Sequence, residues 1–198
     1  MDHTCFDFTE ISPVDRYRLM ANAVTPRPVA FVTTLSAEGV PNAAAFSFFG
    51  LLSHDPATLA IGIEPRADGR RKDTAENILR TGVFTVHIAD AALAAQMEAC
   101  GAPVEPGVDE LAMTGLATLP GGAIDVPRIA EAPVAMECRL HSQIPLGPAR
   151  DVILGTIERF YLRADSLDAQ GRVDQDRLDP IGRVGAMSYC TTRDRFRV

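Results

Sequence analysis

Val29-Ala30-Phe31-Val32-Thr33-Thr34-Leu35, then Ser36-Ala37-Glu38-Gly39, then Val40-Pro41-Asn42-Ala43-Ala44-Ala45-Phe46-Ser47-Phe48-Phe49, is the stretch on which the fold turns. β-Branched and aromatic residues fill the first seven positions and predict a buried strand. Gly39 supplies a flexible tip, and Val40 to Phe49 predicts the returning arm of a hairpin. Upstream, Ser12 to about Ala23 predicts a short amphipathic helix with Val14, Tyr17, Leu19, Met20 and Val24 as its apolar set and Ser12 as its cap. Pro26 and Pro28 stop that helix and pass the chain to the extended segment.

Further strands follow. Thr58 to Ile63 and Val83 to Ile88 are apolar and β-branched, while Val134 to Ile144 and Val152 to Leu162 are long and alternating, as in half-solvated antiparallel strands. Leu146-Gly147-Pro148 marks the turn between the last two, and a short strand is expected near Met187 to Thr191. Ala89 to Cys100 is strongly helix-forming. Gly101 to Pro127 is rich in proline and glycine and reads as an excursion from the same domain. Strands outnumber helices and do not alternate with them, which favours a mainly β protein, an antiparallel barrel with added helices, over a doubly wound parallel sheet. No repeat or linker divides the chain, so residues 1–198 are expected to form one domain with its core at about 13–195.

Composition narrows the function. With 46% hydrophobic and 23% charged residues the chain is of globular type. A net charge of −7 argues against nucleic-acid binding, which needs a basic face. Cys5, Cys100, Cys138 and Cys190 are scattered and the four histidines show no ligand spacing, so neither a disulfide framework nor a metal site is expected. The N-terminus lacks an apolar targeting segment and no run is long enough for a membrane span; a cytoplasmic location is expected. There is no P-loop, no dinucleotide fingerprint and no nucleophile elbow, so any difficult chemistry is expected to belong to a bound cofactor.

Against the acidic background stands Arg71-Lys72-Asp73-Thr74-Ala75-Glu76-Asn77. Asp73 and Glu76 have capping-box spacing, which predicts a helix to about Arg80 with Gly82 just beyond it. Arg70, Arg71, Lys72 and the Thr74 hydroxyl would crowd its positive end, a combination suited to a phosphomonoester. The competing reading is an ordinary capped surface helix with solvated charges. The three alanines of Asn42–Ser47 leave room for a flat ligand above the strand, with Asn42 and Ser47 offering hydrogen bonds and Thr33 and Thr34 adding hydroxyls nearby. Pro26-Arg27-Pro28 would hold Arg27 close to this surface.

These segments, with Asp55-Pro56, Val152-Ile153-Leu154-Gly155-Thr156-Ile157 and Asp179-Pro180-Ile181-Gly182-Arg183-Val184-Gly185-Ala186-Met187-Ser188-Tyr189, occur in an order that resembles the flavin reductase-like family of FMN-binding split barrels. The likeness is to the branch of flavoredoxin and the nitrilotriacetate monooxygenase flavin-reductase component. It implies a homodimeric six-stranded split barrel with FMN at the dimer interface. By position, Lys72, Asp73 and Thr74, with Arg71 beside them, would take the phosphate. Thr33, Thr34, Asn42, Ala43, Ala45, Phe46 and Ser47 would line the flavin ring and ribityl chain, and Arg183 and Tyr189 would approach late in the chain. Three positions depart from the family pattern: Ala45 replaces a common proline, Ala186 a common glycine, and Arg150-Asp151 stand where relatives that reduce free flavin often carry a histidine.

The resemblance implies an FMN-dependent reductase in which NADH or NADPH delivers hydride to the flavin and electrons pass to free flavin, a partner oxygenase or another acceptor. Two other readings stay open: a non-enzymatic flavoredoxin-like electron carrier, and a binding or sensor protein with a degenerate flavin site.

Overall fold

The computed structural model describes residues 1–105, 107–185 and 187–198, so Ala186 lies outside the described residues. Ser12 caps α1 (Pro13–Ala23), accepting from the Asp15 amide at 3.1 Å. After β1 (Arg27–Pro28) the predicted hairpin appears as β2 (Ala30–Leu35) and β3 (Pro41–Phe46), paired in register from Ala30–Phe46 to Leu35–Pro41. The returning arm is shorter than expected. It breaks at Ser47–Phe48, and Phe49–His54 forms a separate strand, β4, which turns back into β5 (Ala57–Ile63).

Next come α2 (Asp73–Thr81), β6 (Val83–Ile88), α3 (Ala94–Ala99) and α4 (Glu110–Thr114), then the small β7 (Thr118–Leu119) and β8 (Arg128–Ile129). The long strands β9 (Val134–Gly147) and β10 (Arg150–Leu162) are followed by α5 (Gln175–Leu178), β11 (Ile181–Arg183) and β12 (Tyr189–Thr191). The helix expected over Ala89–Cys100 is shorter because Asp90 bridges to Pro180 and its carboxylate accepts from the Leu93 amide, which holds residues 90–93 in a turn.

The fold is an antiparallel split barrel. Its main sheet has the order β3-β2-β6-β9-β10-β5-β4, seven strands rather than six because the second hairpin arm divides in two. The sheet closes where its end strands meet at the Ser47–Phe48 link: the Gly62 amide donates to the Phe48 carbonyl at 2.7 Å. A Cβ at Gly62 would lie 3.1 Å from Phe48 Cβ, so glycine permits this approach. A second sheet, β1-β11-β12, lies beside the barrel.

The continuous apolar run of β2 follows from burial on both faces. Ala30 and Val32 point into the barrel with Phe46, Leu59, Ile61, Phe84, Val86, Met136 and Ile153. Val29 and Phe31 point outward into a second core with Leu93, Met97, Leu111, Leu116 and Ile129, supplied largely by α3, α4 and the excursion. Ala75 and Ile78 of α2 join the barrel core, so this helix is fixed by its buried face.

The Pro/Gly-rich excursion is held by polar groups on that outer face. Thr33 donates to the Pro127 carbonyl at 2.7 Å, the Ile129 amide donates to His87 Nε2 at 3.0 Å, and the amides of Gly122 and Ala123 donate to Glu137 at 2.7 and 2.6 Å. All three anchoring side chains are fully buried. By contrast, the apolar set of α1 is exposed: Val14, Tyr17, Met20 and Val24 face outward and only Ala21 is buried.

Candidate functional site

β3 is an edge of the main sheet, and its open side meets helices instead of another strand. The N-terminus of α2, the end of α3 and the start of α4 border a cavity of about 550 Å³ along this edge. That size suits a cofactor or drug-sized ligand. Asn42, Ala44 and Ala45 form one wall, Arg66, Lys72, Asp73 and Thr74 a second, and Met97, Glu98, Cys100, Glu110 and Arg183 a third. Small side chains on β3 let a ligand approach the backbone, and alternation along an edge strand turns the Ala45 amide to the same side as that of Ala43.

The cationic corner is built at the start of α2. Lys72 is the N-cap residue, extended at φ −73° and ψ 148°, and no side chain caps the helix. The expected capping box does not form. Asp73 lies in the first turn, and its carboxylate pairs with Arg66 at 2.6 Å instead of folding back on the helix. Lys72 makes no ion pair among the described residues; its ammonium sits 5.4 Å from the centre of the Phe46 ring. Burial, reinforced by Arg66, lowers its pKa. A half-buried, unpaired ammonium beside an uncapped helix start is suited to an anion.

Asn42 is the hub of a buried hydrogen-bond network. Its Oδ1 accepts from Thr74 at 2.8 Å and Thr34 at 3.2 Å, and Thr34 accepts from Asn77 at 3.0 Å. Its Nδ2 donates to Glu110 Oε1 at 2.9 Å, while the Ala43 amide donates to Glu110 Oε2 at 3.0 Å. Glu110 therefore pairs with the open edge of β3 where a further strand would otherwise lie. Burial pushes its pKa up.

Of the residues singled out from sequence, Asn42, Ala45, Lys72, Asp73, Thr74 and Arg183 line the cavity. The others lie behind or beside it. Thr33, Thr34 and Ala43 are fully buried, with both hydroxyls engaged inside the protein. Phe46 belongs to the barrel core and meets the site through Lys72. Arg27 turns toward the end of α1, donating to the Ala21 and Val24 carbonyls and to Ser47 Oγ, the latter two at 3.0 and 3.2 Å. Arg71 points to β10, where it meets the buried Asp151 at 2.8 Å. Tyr189 donates to Glu98, which also pairs with Arg183 at 3.4 Å; burial and then the Glu98 contact push the Tyr189 pKa up to about 12. Arg66, which with Arg70, Arg71 and Lys72 makes a basic cluster in the sequence suited to a small anion, also lines the cavity; Glu98 and Glu110 carry no such signal, although Asp109-Glu110 before Leu111 and Gly115 after it do mark a short capped helix.

A family model described as a flavin reductase-like domain matches residues 20–181. The chain belongs to the flavin reductase-like family. It is 40% identical over 205 residues to an uncharacterized protein of Deinococcus radiodurans, covering 100% of this chain and 90% of that protein. Nitrilotriacetate monooxygenase component B from Bacillus cereus superposes with a TM-score of 0.95 at 32% identity, covering 100% of each chain. The 2-nitrobenzoate 2-nitroreductase of Pseudomonas fluorescens gives 0.90 at 35% identity, covering 98% of this chain and 95% of that one. Membership in the flavin reductase-like family makes the protein a flavin-related oxidoreductase. No helix among the described residues is long and apolar enough to cross a membrane.

Proposed function

We propose that the cavity along β3 binds FMN and that the protein is an NAD(P)H-dependent flavin reductase acting as one domain in a homodimer. The observation that carries this reading is the unpaired Lys72 ammonium at the uncapped start of α2, on the same cavity as the small-residue wall of Ala44 and Ala45. Lys72, the first amides of α2 and Arg66 would hold the 5′-phosphate, with the Asp73 carboxylate neutralised by Arg66. The β3 edge, Asn42 and Arg183 would border the flavin ring. When bound, FMN would supply two-electron redox chemistry between reduced nicotinamide and an electron acceptor. The protein's part is to hold and orient the ring, with little proton transfer required of its side chains.

The homodimer is supported by the exposed apolar set of α1 and by Leu51 and Leu52, 69% and 60% exposed on the edge strand β4. Solution mass tests it. Purified protein should carry or take up FMN, seen as visible absorbance. Anaerobic stopped-flow mixing with NADH and NADPH should then bleach it. No uptake of FMN overturns the binding reading; uptake without bleaching by either nucleotide overturns the reductase reading. Because one relative is a nitroreductase of 2-nitrobenzoate, acceptor assays should include an aromatic nitro compound alongside free flavin and a partner oxygenase.

A specific observation keeps the electron carrier as the second reading. Where relatives that reduce free flavin often have a histidine, Arg150 is paired with Glu64 at 2.6 Å and Asp151 is buried against Arg71. Both side chains are committed to holding the segment before α2, which leaves neither to handle a nicotinamide.

A further inference from the structure

The Thr74 hydroxyl has one proton, and the structure spends it on Asn42 Oδ1. The side chain lines the cavity yet offers a ligand lone pairs only, which is the wrong polarity for a phosphate. The cause lies on the far side of Asn42. A carboxylate accepts and does not donate, so Glu110 compels Asn42 to turn its amide nitrogen toward α4 and its oxygen toward Thr34 and Thr74. The Ala43 amide, also donating to Glu110, cannot reverse, and no cation pairs with Glu110 among the described residues. Glu110 is 5% exposed, Thr74 1% and Thr34 0%, so water does not scramble the direction of these bonds.

We propose that Glu110 is a positioning residue that sets the direction of hydrogen bonding through Asn42 and so withholds the Thr74 proton from a phosphate bound at the start of α2. The inference rests on the reading of that corner as the phosphate site. Replacing the carboxylate by an amide reverses the chain. In Glu110→Gln the fixed Ala43 amide claims the new side chain's oxygen, and its nitrogen then faces Asn42, which must present oxygen in return. Asn42 turns its nitrogen to Thr74, the hydroxyl becomes an acceptor there, and its proton is released toward the cavity. The reversal lowers stability, because the buried Thr34 proton loses its acceptor; binding is therefore compared well below the unfolding temperature.

The test is the ratio of FMN to riboflavin affinity, measured by fluorescence quenching in the native protein, Glu110→Gln, Thr74→Val and the double variant. A new hydrogen bond to a charged phosphate should raise the ratio in Glu110→Gln by about tenfold. Thr74→Val alone should leave the ratio near the native value, and the double variant should lose the gain. Asn42→Ala, which removes the acceptor outright, should raise the ratio in the same way and serves if Glu110→Gln fails to fold. A native preference for FMN with no rise in either variant, or a rise that survives Thr74→Val, overturns the role of Glu110 alone. A native protein that does not distinguish the two flavins overturns the phosphate site and this inference together.

Discussion

Glu110 and Glu137 are both buried carboxylates that accept from backbone amides, and their surroundings drive them in opposite directions. Burial raises the pKa of each. At Glu137, the Gly122 and Ala123 amides, the Tyr161 hydroxyl at 2.9 Å and the charge of Arg128 outweigh that effect, and the pKa falls below the ordinary carboxylate range. At Glu110 two neutral donors do not suffice and the pKa rises. The Arg128 guanidinium carbon also sits over the Tyr161 ring, 3.7 Å from its centre, which holds the cation beside Glu137. The contrast separates a clamp from a wall of the cavity. Glu137 is surrounded by donors and spends its charge on tying the excursion to the barrel. Glu110 borders a cavity and makes no ion pair among the described residues; the role proposed for it is direction, not adhesion.

The largest expected effect comes from breaking the clamp. Glu137→Ala removes the buried acceptor of two part-buried amides and a tyrosine hydroxyl and the partner of a guanidinium, and should cost about 3 kcal/mol in urea denaturation. Glu110→Ala should cost less, about 1–2 kcal/mol, because only two neutral donors lose a partner. The flavin affinity ratio of folded Glu137→Ala should stay native. Equal stability losses at the two sites would erase the distinction between them.

Acid should act on the clamp next. His87, wholly buried between the Phe31 carbonyl and the Ile129 amide, has its pKa lowered by burial from 6.5 to about 4. Its folded value lies below its unfolded value, so its stabilisation is complete above pH 6.5 and is lost as pH falls from there toward 4. The total is about 3 kcal/mol. Glu137, with its lowered pKa, adds a loss that sets in below the ordinary carboxylate value, beneath most of the His87 window. Urea midpoints measured across pH 4–7 should fall in the native protein and flatten in His87→Gln; parallel curves would remove His87 from the clamp.

How far these features were legible in the sequence depends on whether local or distant groups decide them. Strands β2, β5, β6, β9 and β10 show in the sequence because β-branched runs and alternation are local properties. The break at Ser47–Phe48 does not show, since apolar residues continue through it and the turn is stabilised by Gly62, which lies on another strand. Asp73 and Glu76 have the spacing of a capping box, but Arg66, seven residues earlier, takes the Asp73 carboxylate. Cations are visible in sequence, while their partners are not: Arg71 and Arg27 look available for a ligand and are each held by groups elsewhere in the protein. Glu110 is the plainest case. Nothing in its neighbourhood along the chain says that it will meet Asn42, 68 residues away.

The smallest expected effect is also the most discriminating, because it separates residues two apart in the same motif. Lys72 and Thr74 both line the cavity, and sequence assigns both to a phosphate. Lys72 makes no ion pair among the described residues, so Lys72→Ala should lower FMN affinity roughly tenfold to a hundredfold by loss of a charge-assisted bond. Riboflavin, which lacks the phosphate, should bind as before. Thr74 gives its proton to Asn42, and Asn42 Oδ1 keeps Thr34 as a donor when Thr74 is gone. Thr74→Val should therefore change FMN affinity less than about threefold while costing about 1 kcal/mol of stability. A loss of FMN binding as large as that of Lys72→Ala, with riboflavin unaffected, would mean that the hydroxyl turns to the ligand despite Glu110. The direction of hydrogen bonding through Asn42 would then be set by the bound phosphate and not by the carboxylate behind it.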